Sequence, residues 1–129
     1  MDQDPKMQNH KRLLVIDEDI QVGPLLKAIL ENSGYEVILE SNGAEALENV
    51  RRNGRDIDLV ITDQVLPDIR GFEIVSELKK IKLGVPIIMC SGSYPFDFPD
   101  YQIAGIHACL MKPFCSAQLL RTVERYLPA

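Results

Sequence analysis

Several polar groups stand where apolar runs stop. Asp17, Glu18 and Asp19 follow Leu13-Leu14-Val15-Ile16, and Asp63 closes Leu59-Val60-Ile61-Thr62. Ser91 and Gly92 follow Ile87-Ile88-Met89-Cys90, and Lys112-Pro113 follow a run ending at Met111. If these groups share one place, the acids have an electrostatic problem. Two carboxylates about 4 Å apart repel by roughly 4 kcal/mol at an effective dielectric near 20. A hard divalent cation removes that repulsion, and Mg²⁺ takes one or two carboxylates plus phosphate oxygens and water. The Lys112 ammonium can hold a phosphoryl oxygen as a point charge, and the Ser91 hydroxyl can donate to another. An Asp carboxylate can itself be the nucleophile, giving an aspartyl phosphate. The set suits phosphoryl transfer onto Asp63 with Mg²⁺ or Mn²⁺, in which positioning and charge compensation supply most of the catalysis.

The elements that would bring these groups together alternate along the chain. Leu13 to Ile16 reads as a fully buried strand. Pro24 suits the first turn of a helix whose period is carried by Leu25, Leu26, Ile29 and Leu30, with Asn32-Ser33-Gly34 as its stop. Val37 and Leu39 belong to a second strand. Ser41-Asn42-Gly43 can cap a helix striped by Ala46, Leu47 and Val50 and ended by Gly54. Leu59 to Ile61 is the third strand, and Leu66-Pro67-Asp68 a turn. The next helix follows Gly71, with Phe72, Val75, Leu78 and Ile81 facing inward. Ile87 to Cys90 and Ile106 to Met111 are the fourth and fifth strands, and 117–126 the last helix. Such alternation means parallel pairing, right-handed crossovers and a sheet covered on both faces. In an open parallel sheet, active groups gather beyond the carboxyl ends of the strands. Residues 17, 18, 63, 91 and 112 are therefore expected to converge. Asp19 is read as a helix cap or as a supporting group behind the ligands, rather than as a direct ligand.

The stretch from Ser91 to Gly105 breaks the rhythm. It holds Pro95 and Pro99, which a helix interior tolerates badly, so a short or irregular fourth helix around 100–104 is all that fits. Tyr94, Phe96, Phe98 and Tyr101 crowd the same stretch. They either cap the sheet or form an exposed partner surface, which would allow a homodimer through the 91–127 region.

Composition bounds the rest. The 129 residues suit one domain, 11–129, after a polar lead-in at 1–10. With 14 basic and 19 acidic residues the net charge is −5, which argues against nucleic acid or an anionic membrane as the main partner. No apolar run is long enough to span a membrane. The three cysteines, 90, 109 and 115, have no CxxC spacing and read as reduced thiols of a cytoplasmic protein.

The stretches LLVIDED, SGYEVILESNGAEAL, DLVITDQVLPDIRGFE, VPIIMCSG and CLMKPF, in this order and at these spacings, resemble the response-regulator receiver domain of two-component signalling. The resemblance covers about residues 11–127. It implies a flavodoxin-like, doubly wound α/β fold with a five-stranded parallel sheet in the order 2-1-3-4-5, a strand order known for such receivers. It implies that Asp63 is the phosphoacceptor, that Asp17 and Glu18 hold Mg²⁺ with the Val65 carbonyl, and that Lys112 contacts the phosphoryl group. Ser91 corresponds to the hydroxyl that turns inward on phosphorylation, and Gly92 to its small neighbour. Pro113 corresponds to a proline usually preceded by a cis bond, and Gly71 to the glycine opening the third helix. Three positions depart from the family pattern: Glu18 stands where the second acid of the pair is commonly Asp, Arg70 stands where an acid or amide is common, and Cys109 stands in the place of an aromatic switch residue.

The resemblance further implies a histidine kinase or histidine phosphotransfer protein as partner, the donor being a phosphohistidine. The chain is expected to catalyse its own phosphorylation and dephosphorylation, and not to be an enzyme with a separate substrate. It reads as a stand-alone regulator or as the receiver of a hybrid histidine kinase. The alternative is a degenerate receiver that acts as a phosphorylation-independent interaction module. A phosphatase of the haloacid-dehalogenase type, which also uses an Asp nucleophile, fits badly: its Asp-x-Asp-x-Thr motif meets Asp17-Glu18-Asp19-Ile20-Gln21 here.

Overall fold

The computed structural model describes residues 11–81, 84–92 and 105–127. The lead-in, the expected short helix near residue 100 and the four clustered aromatic residues lie outside this set. The described strands are β1 (Arg12–Ile16), β2 (Glu36–Glu40), β3 (Leu59–Asp63), β4 (Ile87–Ser91) and β5 (Ala108–Met111). The described helices are α1 (Val22–Asn32), α2 (Gly43–Asn53), α3 (Gly71–Lys80) and α4 (Ser116–Tyr126). The strands form one parallel sheet in the order β2-β1-β3-β4-β5. None of the described helices is long and apolar enough to cross a membrane.

Alternation along the central strands divides the core. Leu14, Ile16, Val60 and Met89 face one side, where Leu47 and Val50 of α2 and Ile74, Val75 and Leu78 of α3 cover them. Leu13, Val15, Leu59, Ile61 and Ile88 face the other, against Leu26 and Leu30 of α1 and Leu119 and Val123 of α4. A strand buried on both faces must be apolar at every position, which is why β1, β3 and β4 read as unbroken runs. The edge strand β2 is only partly covered and keeps Glu36 and Glu40.

Small departures from the sequence reading have simple causes. Ile74, absent from the expected stripe of α3, is fully buried, whereas Phe72 and Ile81 are half-buried, because the helix turns its Ile74–Val75–Leu78 face to the sheet. β5 is shorter than 106–111. Ile106 still packs in the core, and the His107 N–H still reaches the Ile87 carbonyl at 2.8 Å. α1 starts at Val22, which leaves Pro24 in the first turn, where a missing N–H leaves no intrahelical bond unmade.

Candidate functional site

The carboxyl ends of β1, β3, β4 and β5 open on one side of the sheet into a cavity of about 580 Å³. Asp17, Glu18, Asp63, Val65, Ser91 and Lys112 all line it. The expected convergence of residues 17, 18, 63, 91 and 112 is therefore met, Val65 stands with them, and Cys109 stands apart. Cys109 is half-buried on β5 and packs against the α2–α3 side of the core.

Each side chain has its own support. Asp17 is 3% exposed. One of its oxygens accepts the Asp19 N–H at 2.9 Å, and the other lies 3.3 Å from Lys112 Nζ. The Asp19 carboxylate turns away to accept the N–H groups of Gln21 and Val22 at 2.8 and 3.0 Å. It caps α1, as its position in the sequence suggested, and these bonds hold its carboxyl below the usual range. Glu18 is exposed at the cavity rim. Asp63 ends β3 with its Oδ1 2.7 Å from Lys112 Nζ. Lys112 is brought in from β5 by its own N–H, which donates to the Ser91 carbonyl at 2.7 Å, and the Lys112–Pro113 peptide bond is cis.

The segment between β3 and α3 is fastened at both ends. The Gly71 N–H donates to the Gln64 carbonyl at 2.7 Å. A Cβ at Gly71 would stand 2.5 Å from the Asp63 carbonyl oxygen and 2.9 Å from Gln64 Cα, so only glycine allows this closure. In the middle of the segment, the two carboxylate oxygens of Asp68 accept the Gly43 and Ala44 N–H groups at 2.9 and 2.8 Å. Asp68 thus ties the segment carrying Val65 to the start of α2. Arg70, at the cap position of α3, supplies no side-chain cap.

The electrostatics follow from this crowding. Burial is the main cause that raises the Asp63 carboxyl from 3.8 to about 7; Asp17 adds to it and the Lys112 ammonium opposes it. Burial also works against the Lys112 ammonium, but its bonds and charges with Asp63 and Asp17 outweigh that, and its pKa is raised. The Cys90 thiol is pushed up to about 12, first by burial and then by Asp63, which makes it an inert neighbour. The Cys109 thiol is likewise pushed up to about 12 by burial.

Among the described residues no three His, Cys, Asp or Glu side chains form a metal cage. The donors at hand are two facing carboxylates on Asp17 and Asp63, the rim carboxylate of Glu18 and main-chain carbonyl oxygen. An all-oxygen set with few carboxylates suits a small hard cation that keeps some of its water. The two buried carboxylates of Asp17 and Asp63 share the single ammonium of Lys112, and their uncompensated charge gives such a cation a reason to bind.

Residues 13–124 match the family model of the response regulator receiver domain. The chain belongs to the response-regulator receiver family. This receiver is 39% identical over 119 residues to the alkaline phosphatase synthesis transcriptional regulatory protein PhoP of Bacillus subtilis (strain 168), a match covering 92% of this chain and 49% of that protein. The receiver thus spans about half the length of that relative. Among solved structures, a CheY-like response regulator receiver domain protein from Methanospirillum hungatei JF-1 superposes with a TM-score of 0.85 at 30% identity, covering 92% of this chain and 94% of that one. The receiver domain of the sensor histidine kinase PA1611 from Pseudomonas aeruginosa PAO1, 25% identical, superposes with a TM-score of 0.82 over 94% of this chain and all of that one. That structure has a magnesium ion coordinated in its active site cleft.

Two residues of the receiver's site were not singled out in the sequence. Gln64 lines the cavity and accepts a hydrogen bond from the Ser91 hydroxyl. Ile20, 89% exposed, stands at the rim. The position of Gln64 directly after Asp63 was the available signal, because its N–H still reaches the Cys90 carbonyl just past the last pair, Asp63↔Cys90, and this sets it beside Ser91.

Proposed function

We propose that this receiver takes a phosphoryl group from a phosphohistidine onto Asp63 in a two-component phosphorelay, with Mg²⁺ or Mn²⁺ as cofactor. The observation that supports this most directly is the Asp63 carboxylate at an open cavity, 2.7 Å from the Lys112 ammonium and beside Asp17. In the transfer, an Asp63 oxygen forms a bond to phosphorus. The bond from phosphorus to the donor imidazole nitrogen breaks, and its electron pair stays on that nitrogen. Lys112 offsets charge on the phosphoryl oxygens, and the Ser91 hydroxyl donates to one of them. Asp17, Glu18, Asp63 and the Val65 carbonyl would hold the cation, which supplies further charge neutralisation at the phosphoryl oxygens. The phosphoryl group then leaves to water or to a further acceptor, so the chain catalyses its own modification and its removal.

The partner is a histidine kinase or a histidine phosphotransfer protein, and the setting is a stand-alone regulator or the receiver of a hybrid histidine kinase. The cytoplasm is the compartment that fits reduced thiols. The net charge of −5 supports a protein partner over direct contact with nucleic acid.

Incubation with a small-molecule phosphodonor and Mg²⁺, followed by intact-mass measurement, tests the reading. A gain of one phosphoryl group that disappears in Asp63→Asn is expected. No gain under saturating donor and metal would overturn phosphotransfer and favour an interaction module that works without it.

A further inference from the structure

We propose that Gln64 is a latch on Ser91: its side-chain carbonyl holds the hydroxyl proton that a phosphoryl oxygen on Asp63 would have to take. This rests on the reading of Asp63 as phosphoacceptor and names a positioning residue that sets how readily the phosphorylated arrangement forms.

The main chain of Gln64 is held on both sides. Its N–H donates to the Cys90 carbonyl at 2.8 Å, and its carbonyl accepts from Gly71 at 2.7 Å. Ser91 is equally fixed. It pairs in register with Met111, its carbonyl accepts the Lys112 N–H at 2.7 Å, and it is 3% exposed. Two anchored backbones leave little freedom except side-chain rotation. In this arrangement the Ser91 hydroxyl donates to Gln64 Oε1.

A serine hydroxyl has one proton, whatever else its lone pairs accept. An ionised phosphoryl oxygen is an acceptor only. Ser91 can donate to Gln64 or to the phosphoryl group, and the two bonds exclude each other. Every molecule that forms the Ser91–phosphoryl bond must therefore first give up the Gln64 bond. A neutral hydrogen bond of this kind has a net worth that shifts an equilibrium roughly 2- to 12-fold. Removing the amide should strengthen phosphoryl binding by that factor, and only where Ser91 is present to be released.

Beryllofluoride, a non-covalent phosphoryl mimic, supplies the measurement in the presence of Mg²⁺. Its affinity is read by isothermal titration calorimetry for wild type, Gln64→Met, Gln64→Ala, Ser91→Ala and each Gln64 variant combined with Ser91→Ala. Gln64→Met keeps the volume and Gln64→Ala removes it, so the pair separates lost hydrogen bonding from lost packing. Tighter binding by roughly 2- to 12-fold in both Gln64 variants, shrinking to no change in the Ser91→Ala background, is expected. Unchanged or weaker binding in both variants overturns the latch, as does an equal gain with Ser91 absent; in those cases phosphoacceptor function stands. A wild-type chain that takes neither beryllofluoride nor a phosphoryl group overturns both proposals.

Discussion

Replacing Asp63 by Asn should stabilise the metal-free protein, by an amount that grows as pH rises from about 4 to about 7. Asp63 shares its cavity with Asp17 and has one ammonium, Lys112, within 2.7 Å. Its carboxyl rises from 3.8 to about 7, chiefly through burial. Between those values the folded state binds a proton that the unfolded state has lost. Stability therefore falls as pH rises from about 4 to about 7 and is level above that. The span is roughly 3 pH units, an upper bound on the order of 4 kcal/mol at 1.36 kcal/mol per unit. Solvent reaches the carboxylate from the open cavity and Lys112 screens it, so a net of about 1–2 kcal/mol is expected. For a chain of this size each kcal/mol moves the melting temperature by roughly 4 °C. In chelator, Asp63→Asn should melt about 4–8 °C above wild type at pH 8 and less than half that far above it at pH 5, where only part of the range between about 4 and 7 has been crossed. Scanning calorimetry at the two pH values reads this directly. Saturating Mg²⁺ at pH 8 should then raise wild type enough to close the gap or reverse it, since a ligand at a hundred times its Kd adds about 2.7 kcal/mol. A difference that is the same at both pH values, or a variant less stable than wild type at pH 8, would refute the picture of a buried, charge-crowded carboxylate.

Two further substitutions probe the surroundings. Lys112→Met should leave Asp17 and Asp63 facing each other without a counter-charge and slow phosphoryl uptake from a small-molecule donor on the order of 10- to 100-fold, the worth of a lost charge-assisted hydrogen bond; mass spectrometry over time checks the rate. Gly71→Ala would set a methyl group 2.5 Å from the Asp63 carbonyl, so it should cost about 1–3 kcal/mol in chemical denaturation and reduce phosphoryl uptake as well, because relief of the clash moves the end of β3.

What could be read in the sequence was whatever local periodicity and strand ends encode. The unbroken apolar runs of β1, β3 and β4 declare strands buried on both faces, and the 3.6-residue stripes of α1, α2 and α4 declare their partners. With parallel order assumed, the ends of those runs pointed to Asp17, Asp63 and Ser91, and the end of β5 pointed to Lys112. The strand order came with the family resemblance, because periodicity shows which face of a strand is buried but not which strand lies beside it. The three-dimensional arrangement alone decided the rest. It gave the proton of Ser91 to Gln64 and made Asp68 the tie to α2. It also left Cys109 packed against the core, away from the cavity. These are contacts between segments distant in sequence, and polar side chains carry no periodic mark of the partner they will meet. Burial of Asp63, and hence its raised carboxyl, likewise exists only once four strand ends and the segment closed by Gly71 enclose it.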